Sequence, residues 1–304
     1  IKNHLKQSKP DLIILVDYPG FNLRLVKWIK KHLTCPVLYY ISPQIWAWKA
    51  NRIEIIRKYV DHIAVILPFE LDIYQKHHIP ATYVGHPLLE SLKNIPSQEK
   101  CREQFSWSMQ DKILAICPGS REMEVIKHLP VMIQALELLQ KMGDLQHLKI
   151  VVPVAKSLDM QFVDSFFQGF SHPYELISGN AQYVMQASDA VIVASGTASL
   201  ESAILLKPTC IIYKSSWFNY YLAQRLMKVK YLGLSNLLLN RMAVPELLQT
   251  DCNPQELANM IQLLLHSSAW RQHLVHQMTD LKELLTPQNP DLLANLAIHM
   301  LENS

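Results

Sequence analysis

Glycine is scarce in this chain of 304 residues, 8 against 17 prolines, so a glycine directly after an apolar run marks a backbone position with a purpose. Charged residues are also few, at 18%, and the formal net charge is only +3. That leaves no basic footprint of the kind nucleic-acid binding needs. The five cysteines (Cys35, Cys101, Cys117, Cys210 and Cys252) lie far apart, form no CxxC pair and are odd in number. They give no support for a metal site or a disulfide framework, and they fit a reducing cytosol. No apolar run approaches the roughly 18 residues that a membrane span requires. Short repeats and low-complexity tracts are absent. The first residues, IKNHLKQSKP, do not read as a secretory leader; they lack a methionine and read as a helix inside a domain. The chain is therefore expected to be missing the beginning of its first domain.

What is present is a regular alternation. Short β-rich apolar runs at 12–16, 37–41, 63–67 and 82–84 are separated by amphipathic stretches at 23–32, 52–59 and 70–77. After a polar segment at 93–104, the pattern restarts with strands expected at 113–117, 148–152, 175–177, 190–193 and 209–213. Helices are expected at 124–141, 158–168, 181–187, 198–206 and 254–266, with a helical tail over 270–303 broken by Pro287 and Pro290. Strands alternating with helices predict parallel sheets covered on both faces. The expected architecture is two Rossmann-like doubly wound domains facing a cleft, residues 1–95 and 96–304, the first without its initial strands and the second carrying the C-terminal helices.

Four segments carry chemistry. In ICPGSREMEV a strand runs into Pro118-Gly119-Ser120-Arg121 and a helix begins at once. Gly119 admits close approach, Ser120 offers a hydroxyl beside backbone N–H groups, and Arg121 adds a charge to the helix end, which together suit a diphosphate. The plain alternative is a strand–turn–helix corner with a surface arginine. VASGTASLE repeats the arrangement with Ser195, Gly196 and Thr197, and places Thr197 and Glu201 one helical turn apart, where the carboxylate can meet ribose hydroxyls. Its alternative is an ordinary capped helix. In VDYPGFN, Asp17 closes a strand at the carboxyl edge of the first sheet and is a candidate general base, or else a helix cap. In YYISPQIWAWKANR, Trp46 and Trp48 lie beside Lys49 and Arg52, a mixture that fits sugar stacking, a lipid headgroup layer or plain packing. His86, in VGHP, follows a strand and is either structural or a ligand contact.

Taken in order, VDYPGFNLRL, YYISPQIWAWK, LPFELDIYQKHHIPATYVGHPL, PGSREMEV, VASGTASLE and LSNLLLNRMAVPELLQ resemble the lipid-A-disaccharide synthases, inverting glycosyltransferases of the GT-B fold. The resemblance runs from Asp11 to the C-terminal helices. It implies condensation of UDP-2,3-diacylglucosamine with 2,3-diacylglucosamine 1-phosphate, releasing UDP and forming a β-1,6 disaccharide, with no metal or cofactor. It further implies that Arg121, Gly119 and Ser120 stabilise the departing diphosphate, while Glu201 and the Ser195–Thr197 turn hold the ribose and phosphates. Asn236 and Arg241 become further nucleotide contacts, and Asp17 the base for the acceptor hydroxyl, oriented by Asn22. Trp46 and Trp48 become contacts for acylated substrates. A homodimer, peripheral to the cytoplasmic side of the inner membrane, is expected. Two departures stand out: Gly20 replaces a second aspartate common in the first motif, and the glycine-rich N-terminal turn is absent. The rivals are a nucleotide-sugar epimerase on the same fold and an inactive, truncated UDP-binding paralogue.

Overall fold

The computed structural model describes residues 1–46, 51–215 and 230–303. The described chain divides into two compact units, residues 1–89 with 284–303 and residues 90–283. Each contains one parallel sheet.

The first unit starts with α1 (Lys2–Ser8), β1 (Ile13–Val16) and α2 (Pro19–His32). It continues with β2 (Val37–Tyr40), α3 (Arg52–Tyr59), β3 (His62–Val65), α4 (Pro68–Lys76), β4 (Ala81–Tyr83) and α5 (Pro87–Leu92). The strands pair in sequence order, β1-β2-β3-β4. Helix α2 has Pro19 in its first turn, where the missing N–H costs nothing, and Lys30, Lys31 and His32 in its last, where they complement the helix dipole. Because side chains alternate along a strand, Val37 and Tyr39 join a core with Val26, Ile29 and Ile56, while Leu38 points to the opposite face with Ala64 and Val84.

That opposite face is covered by the last helix. Leu292, Leu293, Leu296, Ala297 and Met300 pack on Leu38, Ala64 and Val84. The C-terminal stretch is thus split: residues 284–303 cluster with the first unit, not with the second domain as the sequence pattern suggested. The reason is a bare sheet face needing an apolar stripe of helical spacing. The seam is close. Tyr83 Oη donates to the Leu285 carbonyl at 2.5 Å, and a Cβ on Gly85 (φ 86°) would come within 2.7 Å of Pro287 Cγ. The glycine of VGHP is needed for this passage.

The second unit opens with α6 (Gln98–Gln104), inside the segment expected to be a linker. Its polarity misled, because the Arg102 side chain is buried and satisfied: the guanidinium donates to the carbonyls of Ala187, Ser108, Met109 and Asp111 and pairs with Asp189 at 2.9 Å. The unit continues with β5 (Lys112–Cys117), α7 (Glu122–Lys141), β6 (Leu148–Val154), α8 (Met160–Asp164), β7 (Tyr174–Ser178), α9 (Ala181–Ala187), β8 (Ala190–Ala194), α10 (Thr197–Ile204) and β9 (Thr209–Tyr213). It closes with α11 (Leu234–Leu239), β10 (Glu246–Leu248), α12 (Pro254–His266) and α13 (Ser268–Leu285); α14 is Leu292–Glu302. The strand order is β10-β9-β8-β5-β6-β7, all parallel. The chain winds outward one way from β5 to β7, then returns to the other side of β5 at β8. That reversal lies between β5 and β8, and in such sheets ligands bind at the carboxyl edge of the reversal.

Candidate functional site

Register brings the two small-residue turns together. Cys117 is paired with Val193 across β5 and β8, so Pro118-Gly119-Ser120 and Ala194-Ser195-Gly196 leave the sheet side by side. They line a cavity of about 640 Å³ at the carboxyl edge of the second sheet. Of the residues singled out in the sequence, Gly119, Ser120, Arg121, Ser195, Gly196, Thr197 and Glu201 all line it.

Each turn is held by hydrogen bonds from nearby side chains. The Pro118 carbonyl accepts from His128 Nδ1 at 2.8 Å, while His128 Nε2 accepts the Lys214 backbone N–H at 3.0 Å. These partners fix a neutral ring with the proton on Nδ1, and burial holds its pKa below the ordinary histidine value. Ser157 Oγ donates to the Ser120 carbonyl at 3.0 Å. At the other turn, Ser199 Oγ donates to the Gly196 carbonyl at 2.7 Å, and no side chain caps α10. Thr197 is therefore exposed toward the cavity, not spent as a cap. Glu201 Oε1 accepts from Gln182 Nε2 at 2.9 Å, which orients the carboxylate at the cavity wall.

Two charged lining residues are not evident from the sequence. Lys156 follows the carboxyl end of β6, and Glu124 stands in the first turn of α7. Glu124 accepts the Ser120 backbone N–H at 2.8 Å and pairs with Arg121 Nη1 at 2.7 Å. Burial opposes its ionisation, but these two donors outweigh it and hold the carboxyl below its ordinary range. Arg121 and Lys156 face Glu124 and Glu201, so the formal charges of the lining cancel. The rule that ligands gather at strand ends, applied to every strand instead of only to glycine-bearing ones, would have found Lys156.

Asn236 and Arg241 are not among the cavity residues. The Asn236 side chain is fully buried: its amide donates to the Val244 carbonyl at 2.7 Å and to Glu246 Oε1 at 2.6 Å, and its oxygen accepts from Val244 N at 2.8 Å. Arg241 donates to Gln277 Oε1 at 2.6 Å and pairs with Asp280. Both side chains hold the segment around β10 in place. The expected nucleotide contact rested on the family resemblance of LSNLLLNR; here the Asn236 amide serves the Glu246 carboxylate, an acceptor that needs donors.

In the first unit, Asp17 directly follows β1 and is exposed. It does not cap α2: the cap position is Tyr18, and no side chain bonds there. Asp17 (φ 44°) and Tyr18 (φ 40°) are both left-handed, a conformation costing about 1–2 kcal/mol for each residue carrying a Cβ. The turn is pinned by Asn22, whose amide donates to the carbonyls of Val16 and Asp17 at 3.0 and 2.7 Å, and by Tyr39 Oη, which donates to the Asp17 carbonyl at 2.6 Å. Asn22 thus acts on Asp17 through the backbone, with its own side chain buried.

Trp46 Nε1 donates to Glu70 at 3.2 Å and its ring meets Phe69 edge-on at 5.2 Å. Glu70 is almost wholly buried, also accepts from Ser42 Oγ at 2.7 Å and Leu67 N at 3.3 Å, and is pushed up by burial to about 7. Trp48 lies outside the described residues. His86 accepts the Leu88 N–H on Nδ1 at 3.2 Å, and burial lowers its pKa to about 4, so it is neutral and has Nε2–H to offer. A larger depression of about 1020 Å³ lies at the amino edge of the first sheet, beside Lys6, Lys9, Lys30, Asp61, His62 and His299. No strand-end turn opens into it, and size alone does not outweigh the paired turns of the second sheet.

A family model for lipid-A-disaccharide synthetase matches residues 1–296. Lipid-A-disaccharide synthase 1 of Legionella pneumophila (strain Lens) is 45% identical over 291 residues, which is 96% of this chain and 75% of that relative. Among solved structures, the UDP-GlcNAc 2-epimerase of Neisseria meningitidis bound to UDP-GlcNAc superposes with a TM-score of 0.63 at 14% identity, covering 98% of this chain and 79% of that one. MurG of Acinetobacter baumannii gives a TM-score of 0.60 at 15% identity, covering 98% and 76%. At such identities these two structures speak for the fold alone.

Proposed function

Since the chain belongs to the lipid-A-disaccharide synthetase family, we propose that it joins UDP-2,3-diacylglucosamine to 2,3-diacylglucosamine 1-phosphate with release of UDP. It is a glycosyltransferase that forms the lipid A disaccharide. The observation carrying the nucleotide side is the pair of turns at the reversal of the second sheet, side by side in register and bordered by Arg121, Lys156 and Glu201. Diphosphate is the leaving group, and its developing charge needs donors fixed in advance. Arg121, Lys156 and the first-turn backbone of α7 are those donors in this reading. Glu201, braced by Gln182, receives the ribose hydroxyls.

In the first unit, Asp17 is the proposed base. It takes the proton of the acceptor 6-hydroxyl as that oxygen attacks the sugar C1 and the C1–O bond to diphosphate breaks with its electron pair on UDP. What favours Asp17 is an exposed carboxylate on a strained turn that three hydrogen bonds hold in place. Neutral His86 is a proposed substrate donor through Nε2–H. The acylated substrates call for a position at the cytoplasmic face of the inner membrane, with Trp46, Trp48 and neighbouring basic residues as the contact. No helix of the described residues is long and apolar enough to cross a membrane. A homodimer belongs to the same proposal.

The test is UDP release from the diacylated donor with and without the acceptor. Acceptor-dependent release with disaccharide formation supports the reading, whereas epimerisation of the donor in the absence of acceptor overturns it. Asp17→Asn should lower turnover by at least about 100-fold while leaving UDP affinity close to wild type. A comparable loss of UDP binding would remove Asp17 from the acceptor side.

A further inference from the structure

The Glu124 carboxylate occupies the donor set that a phosphate would need. Its Oε2 accepts the Ser120 N–H at 2.8 Å, and its Oε1 pairs with Arg121 Nη1 at 2.7 Å. The side chain lies directly against Gly119: a Cβ there, at φ 130°, would meet both Glu124 Cβ and Oε2 at 2.5 Å. One anion therefore already sits where the turn, the start of α7 and the guanidinium converge. Its side chain is 31% exposed, so it has room to turn out toward solvent.

Resting on the nucleotide reading above, we propose that Glu124 is a resident anion that fills the diphosphate position in the absence of nucleotide, is displaced when UDP or the UDP-sugar binds, and returns as UDP leaves. Several features agree. The formal charges of the lining cancel only because Glu124 is counted, and its departure leaves Arg121 and Lys156 facing Glu201 alone. A carboxylate carries one charge and two acceptor oxygens, so a diphosphate, with more of both, competes successfully for the same donors. The carboxyl is held ionised by those donors, which makes it a competent stand-in across the neutral range. Without a resident anion, Arg121 would meet UDP unopposed, and the product would bind more tightly.

The experiment is calorimetric titration of the full chain with UDP and, separately, with uridine, for wild type and Glu124→Gln. Glutamine keeps the size and an acceptor oxygen but removes the charge. UDP should bind Glu124→Gln roughly twofold to fivefold more tightly, the effect of removing a partly exposed competing charge, and uridine affinity should not move. A role in fold or turn geometry alone predicts the reverse, weaker UDP binding with a lower melting temperature. Should Glu124→Gln fold poorly, Glu124→Asp serves in its place. Its shorter arm draws the carboxylate back from Ser120 N, and UDP binding should again tighten, by less. Equal or weaker UDP affinity in a folded variant overturns the inference while leaving the nucleotide site standing. Failure of the wild type itself to bind UDP overturns the site assignment and this inference together.

Discussion

Glu70 gives the sharpest quantitative test of the structure. Its carboxyl is buried, and burial raises it from 4.5 to about 7 against the opposing bonds from Ser42, Trp46 and Leu67. The neighbouring Tyr74 hydroxyl is itself pushed up by burial and stays neutral. A group whose folded pKa lies above its unfolded value stabilises the fold fully below the unfolded value, and that contribution is lost as pH rises through the folded one. Stability should therefore fall between pH 4.5 and about 7, by about 3 kcal/mol if no other group intervened. Glu70→Gln removes the charge, keeps an acceptor for Ser42 and Trp46, and gives up the bond from Leu67 N, which is worth about 1 kcal/mol. The variant should be slightly less stable than wild type at pH 5 and more stable at pH 8, by about 2 kcal/mol or several degrees of melting temperature. Thermal unfolding followed by circular dichroism at both pH values decides it. A melting temperature lowered equally at pH 5 and pH 8 would show that the carboxylate is not strained by burial, and the reasoning would fail.

Other expectations concern the nucleotide side. Lys156→Ala should weaken UDP binding about tenfold and flatten its salt dependence; unchanged titrations at low and high salt would take Lys156 out of the site. Asn236→Ala should cost about 2–3 kcal/mol of stability, because Glu246 loses a buried donor, yet leave UDP affinity intact at temperatures below unfolding. A large affinity loss in a stable variant would return Asn236 to the nucleotide. Arg121→Ala should reduce kcat/KM at least about 100-fold, and unchanged kinetics would exclude it from leaving-group stabilisation.

The parallel sheets were legible because buried strands such as ILAIC and AVIVA are continuous apolar runs with no polar face to confuse the period. The two turns were legible because glycine is rare and falls at strand ends. What could not be read was polar but buried. Arg102 gave α6 the character of a linker, since nothing local tells that its guanidinium meets carbonyls brought from residues 108–111 and 187. The partners of Glu124 and Asn236 were likewise invisible in the sequence. Glu124 passes in the sequence for an ordinary carboxylate of a helix's first turn, and it lies in the site. Asn236, which the resemblance implies as a nucleotide contact, donates to Glu246 and braces β10. Side-chain satisfaction depends on partners that the linear order does not display.

The seating of α14 on β2 and β3 bears on how the polypeptide matures. Tyr83 meets a carbonyl 202 positions downstream, and five of the side chains packed on the Leu38–Ala64–Val84 surface, from Leu292 to Met300, lie beyond residue 291. During synthesis that greasy surface emerges from the ribosome long before its shield has been translated, a lapse of about ten seconds or more at ordinary elongation rates. The opening strands must wait, half finished, for the final helix, and a chaperone that guards exposed apolar surface would find its client in that interval.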